Sequence, residues 1–250
     1  MTLPQIVTPE EWLAARKDLL VREKEFNRAR DALSAERRRL PMTSIGKNYR
    51  FTGPDGEVEL LDLFDGHHQL VLQHFMFDPA WEEGCRSCTA MAEAISDGVR
   101  GHMAKRHTAF AAVSRAPYPK LRTVRERAGW TFPWFSSHGS EFNYDFHVSL
   151  DPSRIAANYN YRDAAELAAT GFEWLLDYTG EQPGVSCLLR DGDDIFHTYS
   201  TFGRGVEVMM TGYQLLDLTA LGRQEVWEEP KNRAPVAYST APNAYGTQVG

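Results

Sequence analysis

The sequence predicts an α/β fold, a sheet with flanking helices, from three observations. Residues 69–77 and 107–114 are mostly apolar runs with the length expected of strands covered on both faces. Between them lies good helix-forming sequence, Thr89-Ala90-Met91-Ala92-Glu93-Ala94-Ile95. Late in the chain, Asp191-Gly192-Asp193-Asp194 joins residues 185–190 to 195–200 as an antiparallel hairpin. Strands alternating with helices at this spacing imply right-handed crossovers and a sheet with helices on both faces.

Taken in order, residues 8–40 read as one long helix. Thr8 can cap it, Pro9 suits the first helical position, and Glu11 completes a capping box. Trp12, Ala15, Leu19, Phe26 and Leu33 approximate one apolar face, and Pro41 stops the helix. Packing within the same chain is the expectation for that face, with a homodimer seam as the alternative. Residues 49–51 and 57–60 flank Thr52-Gly53-Pro54-Asp55-Gly56 as a hairpin. After the 107–114 strand, residues 119–128 form an amphipathic helix ended by Gly129. Residues 131–135 make a short strand, expected at a sheet edge because it contains Pro133. From 136 to 178 the chain is irregular and rich in aromatics, with a candidate helix over 162–176. A last helical segment is expected over 210–227, followed by a Pro- and Gly-rich tail.

With 250 residues, 42% apolar and 24% charged, the chain can bury a core and is not a disordered sequence. A net charge of −7 argues against a surface that neutralises nucleic-acid phosphates. The start, Met-Thr-Leu-Pro-Gln-Ile-Val, lacks the features of a signal peptide, and no apolar stretch is long enough to span a membrane. A cytoplasmic protein with no membrane partner is expected. Three cysteines are too few for a disulfide scaffold, so a close pair points to catalysis or metal binding.

That pair is Cys85 and Cys88, in Trp81-Glu82-Glu83-Gly84-Cys85-Arg86-Ser87-Cys88. A strand, a short loop and then Cys-x-x-Cys opening a helix is an arrangement with a mechanism. The first cysteine meets unsatisfied N–H groups and the positive end of the helix dipole, which favours thiolate. Cys85 is the expected nucleophile and Cys88, on the same face of the first turn, the resolving thiol. Arg86 is expected to lower the thiol pKa further, Glu82 and Glu83 to oppose it with a balance set by geometry, and Trp81 to wall the sulfurs. Half of a zinc site would need Cys187 and a histidine to complete it. Cys187 itself, in an apolar strand pattern, reads as a buried small hydrophobe. His67-His68 reads as a solvated turn. Ser136-Ser137-His138-Gly139 and the aromatic segment are candidates for a substrate cleft, with Ser137 and His138 as contacts. A well-packed excursion is the equal alternative.

The order of strand, Trp81, Cys-x-x-Cys, helix, strand, helix and late hairpin resembles a thioredoxin-like fold with an inserted segment. More narrowly, the chain resembles the DUF899 family, thioredoxin-like proteins described as dithiol–disulfide oxidoreductases. The matching signatures are Phe75-Met76-Phe77 leading to Gly84-Cys85-x-x-Cys88, and Gly129-Trp130 with Pro133-Trp134-Phe135-Ser136-Ser137. They continue with Phe142-Asn143-Tyr144-Asp145-Phe146, Phe196-His197-Thr198-Tyr199-Ser200, Arg204-Gly205, Leu216-Asp217 and Gly222-Arg223. The resemblance implies a helical extension over 1–45, a thioredoxin-like domain over 46–228 with an insertion at about 136–180, and a flexible tail over 229–250. It also implies dithiol exchange without a cofactor, acting on a disulfide- or thiol-bearing substrate and supplied by an electron donor. Thioredoxins place a cis-proline before the strand facing the dithiol. Here Pro183 is followed by Gly184-Val185, and Val185 or Ser186 can occupy that place. Copper-handling thioredoxin-like proteins combine two cysteines with a distant histidine. A metal-delivery module using Cys85, Cys88 and His197 is therefore the rival reading, since two thiolates and an imidazole suit Cu(I).

Overall fold

A computed structural model describes residues 2–233 of the chain. The capping box at Thr8 is formed. Thr8 Oγ1 accepts from the Glu11 N–H at 3.2 Å, and Glu11 Oε2 accepts from the Thr8 N–H at 2.9 Å. It opens α1 (Pro9–Arg37), a helix of 29 residues with none buried. The expected packing of α1 on its own chain is therefore not found among the described residues. Trp12, Leu19, Phe26 and Leu33 recur every seven positions, while Leu13, Leu20 and Val21 lie off that line, so no broad apolar face forms to dock on a globular core.

Eight strands form the main sheet. They are β1 (Thr43–Ser44), β2 (Arg50–Gly53), β3 (Gly56–Glu59), β4 (Gln69–His74), β5 (Thr108–Ser114), β6 (Trp134–Ser136), β9 (Gly184–Asp191) and β10 (Asp194–Phe202). Their order across the sheet is β1-β10-β9-β4-β5-β6-β2-β3. β4, β5 and β6 run parallel, while β9 and β10 form the antiparallel hairpin beside β4. The hairpin, β4 and β5, with a helix opening just after β4, are the thioredoxin-like core. β6 lies between β5 and β2 and is not the edge strand expected from its proline. Pro133 sits ahead of the paired residues, where its carbonyl accepts from Ala112, so the missing N–H costs the ladder nothing.

Alternation along β4 sends successive side chains to opposite faces. On one face Phe75, Phe110, Ala112, Trp134 and Val185 pack under α2 (Arg86–Glu93) and α4 (Tyr118–Ala128), which contribute Cys88, Met91, Leu121 and Val124. Gly129 closes α4 at φ 67°, a left-handed conformation suited to glycine. Between α2 and β5 runs α3 (Asp97–Ala104), a helix the sequence reading passes over. On the other face Leu70, Leu72, Ala111, Val113 and Leu188 meet Phe51, Leu63, Phe64, Phe142 and Phe146. There the cover is thinner: a 3₁₀ turn (Asp62–Phe64) and α5 (Phe142–Asp145).

The irregular stretch between β6 and β9 holds α5, then the two-stranded pair β7 (Ser149–Leu150) and β8 (Gly180–Glu181). The helix expected over 162–176 is shorter, α6 (Ala164–Ala169), because Thr170-Gly171 breaks it before a 3₁₀ turn at Glu173–Leu175. The final helical segment is likewise reduced to a 3₁₀ stretch (Gly203–Met209) and α7 (Thr211–Leu216). Past residue 233, the expected tail lies outside the described residues.

A polar chain crosses the second face. His74 Nε2 lies 2.7 Å from Ser186 Oγ, Ser186 Oγ 2.6 Å from Ser200 Oγ, and Ser200 Oγ 2.7 Å from His197 Nε2. Burial first, and then the nearby His197, lower the His74 pKa to about 3. The unfolded chain, with an ordinary histidine near pH 6.5, binds more protons than the native state between those values. Stability is therefore complete above pH 6.5 and falls as the pH drops toward 3. Denaturant unfolding should show a loss of about 2 kcal/mol between pH 7 and 5 from this group. A His74→Gln variant should lose that part of the slope; an unchanged slope would show that His74 is not held neutral.

Candidate functional site: the dithiol at the start of α2

β4 ends at His74, and Phe75-Met76-Phe77 continues in extended form before a loop leads to α2. Several contacts fix that loop. Lys120 Nζ on α4 donates to the carbonyls of Pro79 and Trp81, at 3.1 and 2.8 Å. Arg127 pairs with Glu83 at 3.0 Å. Ala80 N–H donates to Asp78 Oδ1 at 2.8 Å. Trp81 lies partly buried against the cluster that contains Cys88. Gly84 is required here, because a Cβ would sit 2.5 Å from Cε1 of the Phe75 ring.

Cys85 occupies the N-cap of α2, half-buried, and Cys88 is fully buried one turn on. Met76 holds both residues from the strand side. Its carbonyl accepts from the Cys85 N–H at 3.0 Å, and its N–H donates to Cys88 Sγ at 3.4 Å. A hydrogen bond from the Cys88 thiol is the largest influence on Cys85; with the N–H groups of Cys88 and Ser87 and the Ser87 side chain, it outweighs burial. These bring the Cys85 pKa down to about 7. Cys88 moves the opposite way: burial, then the neighbouring Cys85, push its thiol well up. The two sulfurs thus have separate protonation states near neutral pH, one poised as thiolate and the other held as thiol donor.

Arg86, expected to depress the thiol pKa, is exposed, and the lowering comes chiefly from Cys88 and the first-turn donors. Val185 faces the dithiol-side cluster, whereas Ser186 points to the other face and bonds His74. The Gln182–Pro183 bond is trans, the cis bond among the described residues being Glu229–Pro230. Ser137 is fully buried and committed to Asn143 Oδ1 at 2.7 Å and the Ser114 carbonyl at 3.2 Å, so it is a packing element and not a cleft contact. His138 is exposed, with Nδ1 3.3 Å from the Arg115 carbonyl. Cys187 is half-buried, more open than expected, and burial raises its pKa.

The set Cys85, Cys88 and His197 is not assembled. His197 stands against Phe146 on the second face, with ring centroids 5.4 Å apart, across the sheet from the sulfurs. No cluster of three or more His, Cys, Asp or Glu side chains suited to a metal occurs among the described residues. The copper reading falls on that geometry.

Other groups around the dithiol escape the sequence reading. Gln73, fully buried, donates from Nε2 to the Cys88 carbonyl at 3.0 Å, and its Oε1 has no partner among the described residues. A glutamine inside an apolar strand was its available signal, since a buried amide needs partners. Beside the loop, Arg115 pairs with Asp78 and, at 2.7 Å, with the buried Glu181, and donates to Tyr144 Oη at 2.8 Å. Burial pushes the Glu181 carboxyl up, against the pull of Arg115 and of hydrogen bonds from Ser149 and Asn143. Tyr178 is raised by burial and then by the charges of Glu181, Asp78 and Cys85. Nothing local in the sequence marks the Asp78, Arg115 and Glu181 group, because its members converge from the loop after β4, the end of β5 and β8.

A Gly84→Ala substitution must displace the Phe75 ring, itself packed on Trp134 at 4.7 Å. Thermal unfolding should report a loss of about 1–3 kcal/mol; an unchanged melting temperature would show that this loop is not held against Phe75.

No curated protein matches the chain. Among solved structures, a Xylella fastidiosa PrxQ mutant superposes with a TM-score of 0.42 at 9% identity, over 70% of this chain and 94% of that one. The bacterioferritin comigratory protein of Xanthomonas campestris gives 0.41 at 12% identity, over 69% and 94%. Peroxidoxin BcpB of Mycobacterium tuberculosis gives 0.38 at 11% identity, over 71% and 97%. At the level of sequence families, residues 1–240 match the model described as "Bacterial protein of unknown function (DUF899)", and the chain belongs to that family.

Proposed function

We propose that this protein is a thiol–disulfide oxidoreductase in which Cys85 attacks and Cys88 resolves. The observation that carries the reading is the opposite displacement of the two thiols, Cys85 to about 7 and Cys88 well above its ordinary value. The half-buried Cys85 thiolate attacks one sulfur of a substrate disulfide. The S–S bond breaks, the second substrate sulfur leaves as a thiolate and takes a proton, and a mixed disulfide forms on Cys85. Cys88 then loses its proton and attacks Cys85 Sγ. This releases the substrate sulfur that was held on Cys85, which takes a proton, and leaves a Cys85–Cys88 disulfide, so two electrons pass from protein to substrate. A separate dithiol electron donor returns the pair to the reduced state, and the reverse sequence oxidises a substrate dithiol. Trp81 is the apolar contact we assign to a substrate approaching Cys85, with His138 at the rim; Val185, buried in the same cluster as Cys88, backs the site. Three unpaired cysteines suit a reducing compartment, and we place the protein in the cytoplasm. No helix among the described residues is long and apolar enough to cross a membrane.

The high Cys88 pKa makes the second step the one that needs a proton acceptor. Reduction of a small aromatic disulfide should be abolished in Cys85→Ser. In Cys88→Ser the first exchange should proceed and stop at a mixed disulfide that mass spectrometry detects. Equal turnover in wild type and Cys85→Ser would refute the proposal.

A further inference from the structure

The long helix α1 is the feature that the dithiol chemistry does not use. Trp12, Leu19, Phe26 and Leu33 recur every seven residues along it, and they are 59%, 47%, 66% and 47% exposed. A spacing of seven drifts only slowly around a helix of 3.6 residues per turn, so the four side chains make one continuous seam that favours supercoiling with a second helix. Ala15 and Ala29 lie beside the seam and leave room for close approach. Helices in water draw most of their stability from packing of an apolar face, and α1 has no buried residue to supply it.

The seam is symmetric about its own midpoint, between Arg22 and Glu23. A two-fold axis there sets Trp12 of one copy opposite Leu33 of the other, and Leu19 opposite Phe26. The same operation sets Arg22 beside the other copy's Glu23. It also brings the acidic first turn, Glu10 and Glu11, within about one helical turn of the basic end at Arg37 and Arg38. A parallel pairing would instead stack acid on acid and base on base. From this self-complementarity we propose that α1 is a homodimerisation element, pairing antiparallel with α1 of a second copy of this chain. At a rise of 1.5 Å per residue the seam from Trp12 to Leu33 runs about 32 Å. The contact is isologous and closes after two copies.

Sedimentation equilibrium of the full chain tests the proposal. Wild type should be a dimer at tens of micromolar. Leu19→Glu/Phe26→Glu should weaken association by more than about a hundredfold, since each change strikes both copies. Arg22→Glu should weaken it by about tenfold by placing two carboxylates at the axis twice over, and adding Glu23→Arg should restore it. The pH profile of Cys85 alkylation should stay unchanged in all variants, which reports that the domain is folded. A monomeric wild type would overturn the proposal, as would a dimer indifferent to Leu19→Glu/Phe26→Glu. So would a wild type that dimerises only after removal of residues 234–250, because the seam's occupant would then be the chain's own C-terminal segment.

Discussion

Met76 grips the dithiol from the strand side, and the chemistry of the site depends on that grip. One peptide unit on each side of its Cα serves a different sulfur. The carbonyl fixes the Cys85 backbone where the strand hands over to the helix, and the N–H donates to the buried Cys88 sulfur. With the Cys85 backbone and the Cys88 sulfur fixed, the Cys88 thiol can direct its proton at Cys85 and split the two acidities. In the exchange we propose, the thiolate is stabilised by a neighbour that is itself a reactant: once Cys88 deprotonates to resolve a mixed disulfide, Cys85 is already bonded and no longer needs that donor.

The surroundings keep this arrangement rigid without crowding it. Lys120 ties down the loop carbonyls from α4, while Phe75 leaves space for nothing larger than glycine at position 84. Asp78, Arg115 and Glu181 link the start of the loop, the end of β5 and the turn into β9 in one ionic network. Such a buried network contributes little net stability, because desolvation offsets the attraction. Its effect here is positional: it joins three segments around the dithiol.

What the sequence revealed follows from how local each signal is. β4, β5, the late hairpin, the capping box at Thr8 and the Cys85 N-cap are written in contiguous residues, and all are found where the pattern puts them. Edge or interior placement of β6 depends on which strand comes to lie beside it, a long-range fact, and Pro133 misled because it sits one residue outside the ladder. Arg86 misled for a related reason. Proximity in sequence gave it a charge near the thiol, but the first-turn N–H groups and the Cys88 thiol point at the sulfur while Arg86 is exposed. His197 shares a strand pattern with the dithiol-facing residues, yet a change of face across the sheet separates it from Cys85 by the whole layer. Ser137 was legible as a small polar residue, but its burial was not.

The central claim is that a protonated Cys88 sets the acidity of Cys85. Thiolate absorbance in the ultraviolet, followed with pH in Cys187→Ser and in Cys187→Ser/Cys88→Ala, measures this directly. The account predicts a first transition at about pH 7 that moves up by roughly one unit or more when the Cys88 donor is removed. A transition at the ordinary thiol pKa, or one at about 7 that persists in the Cys88→Ala variant, would contradict it.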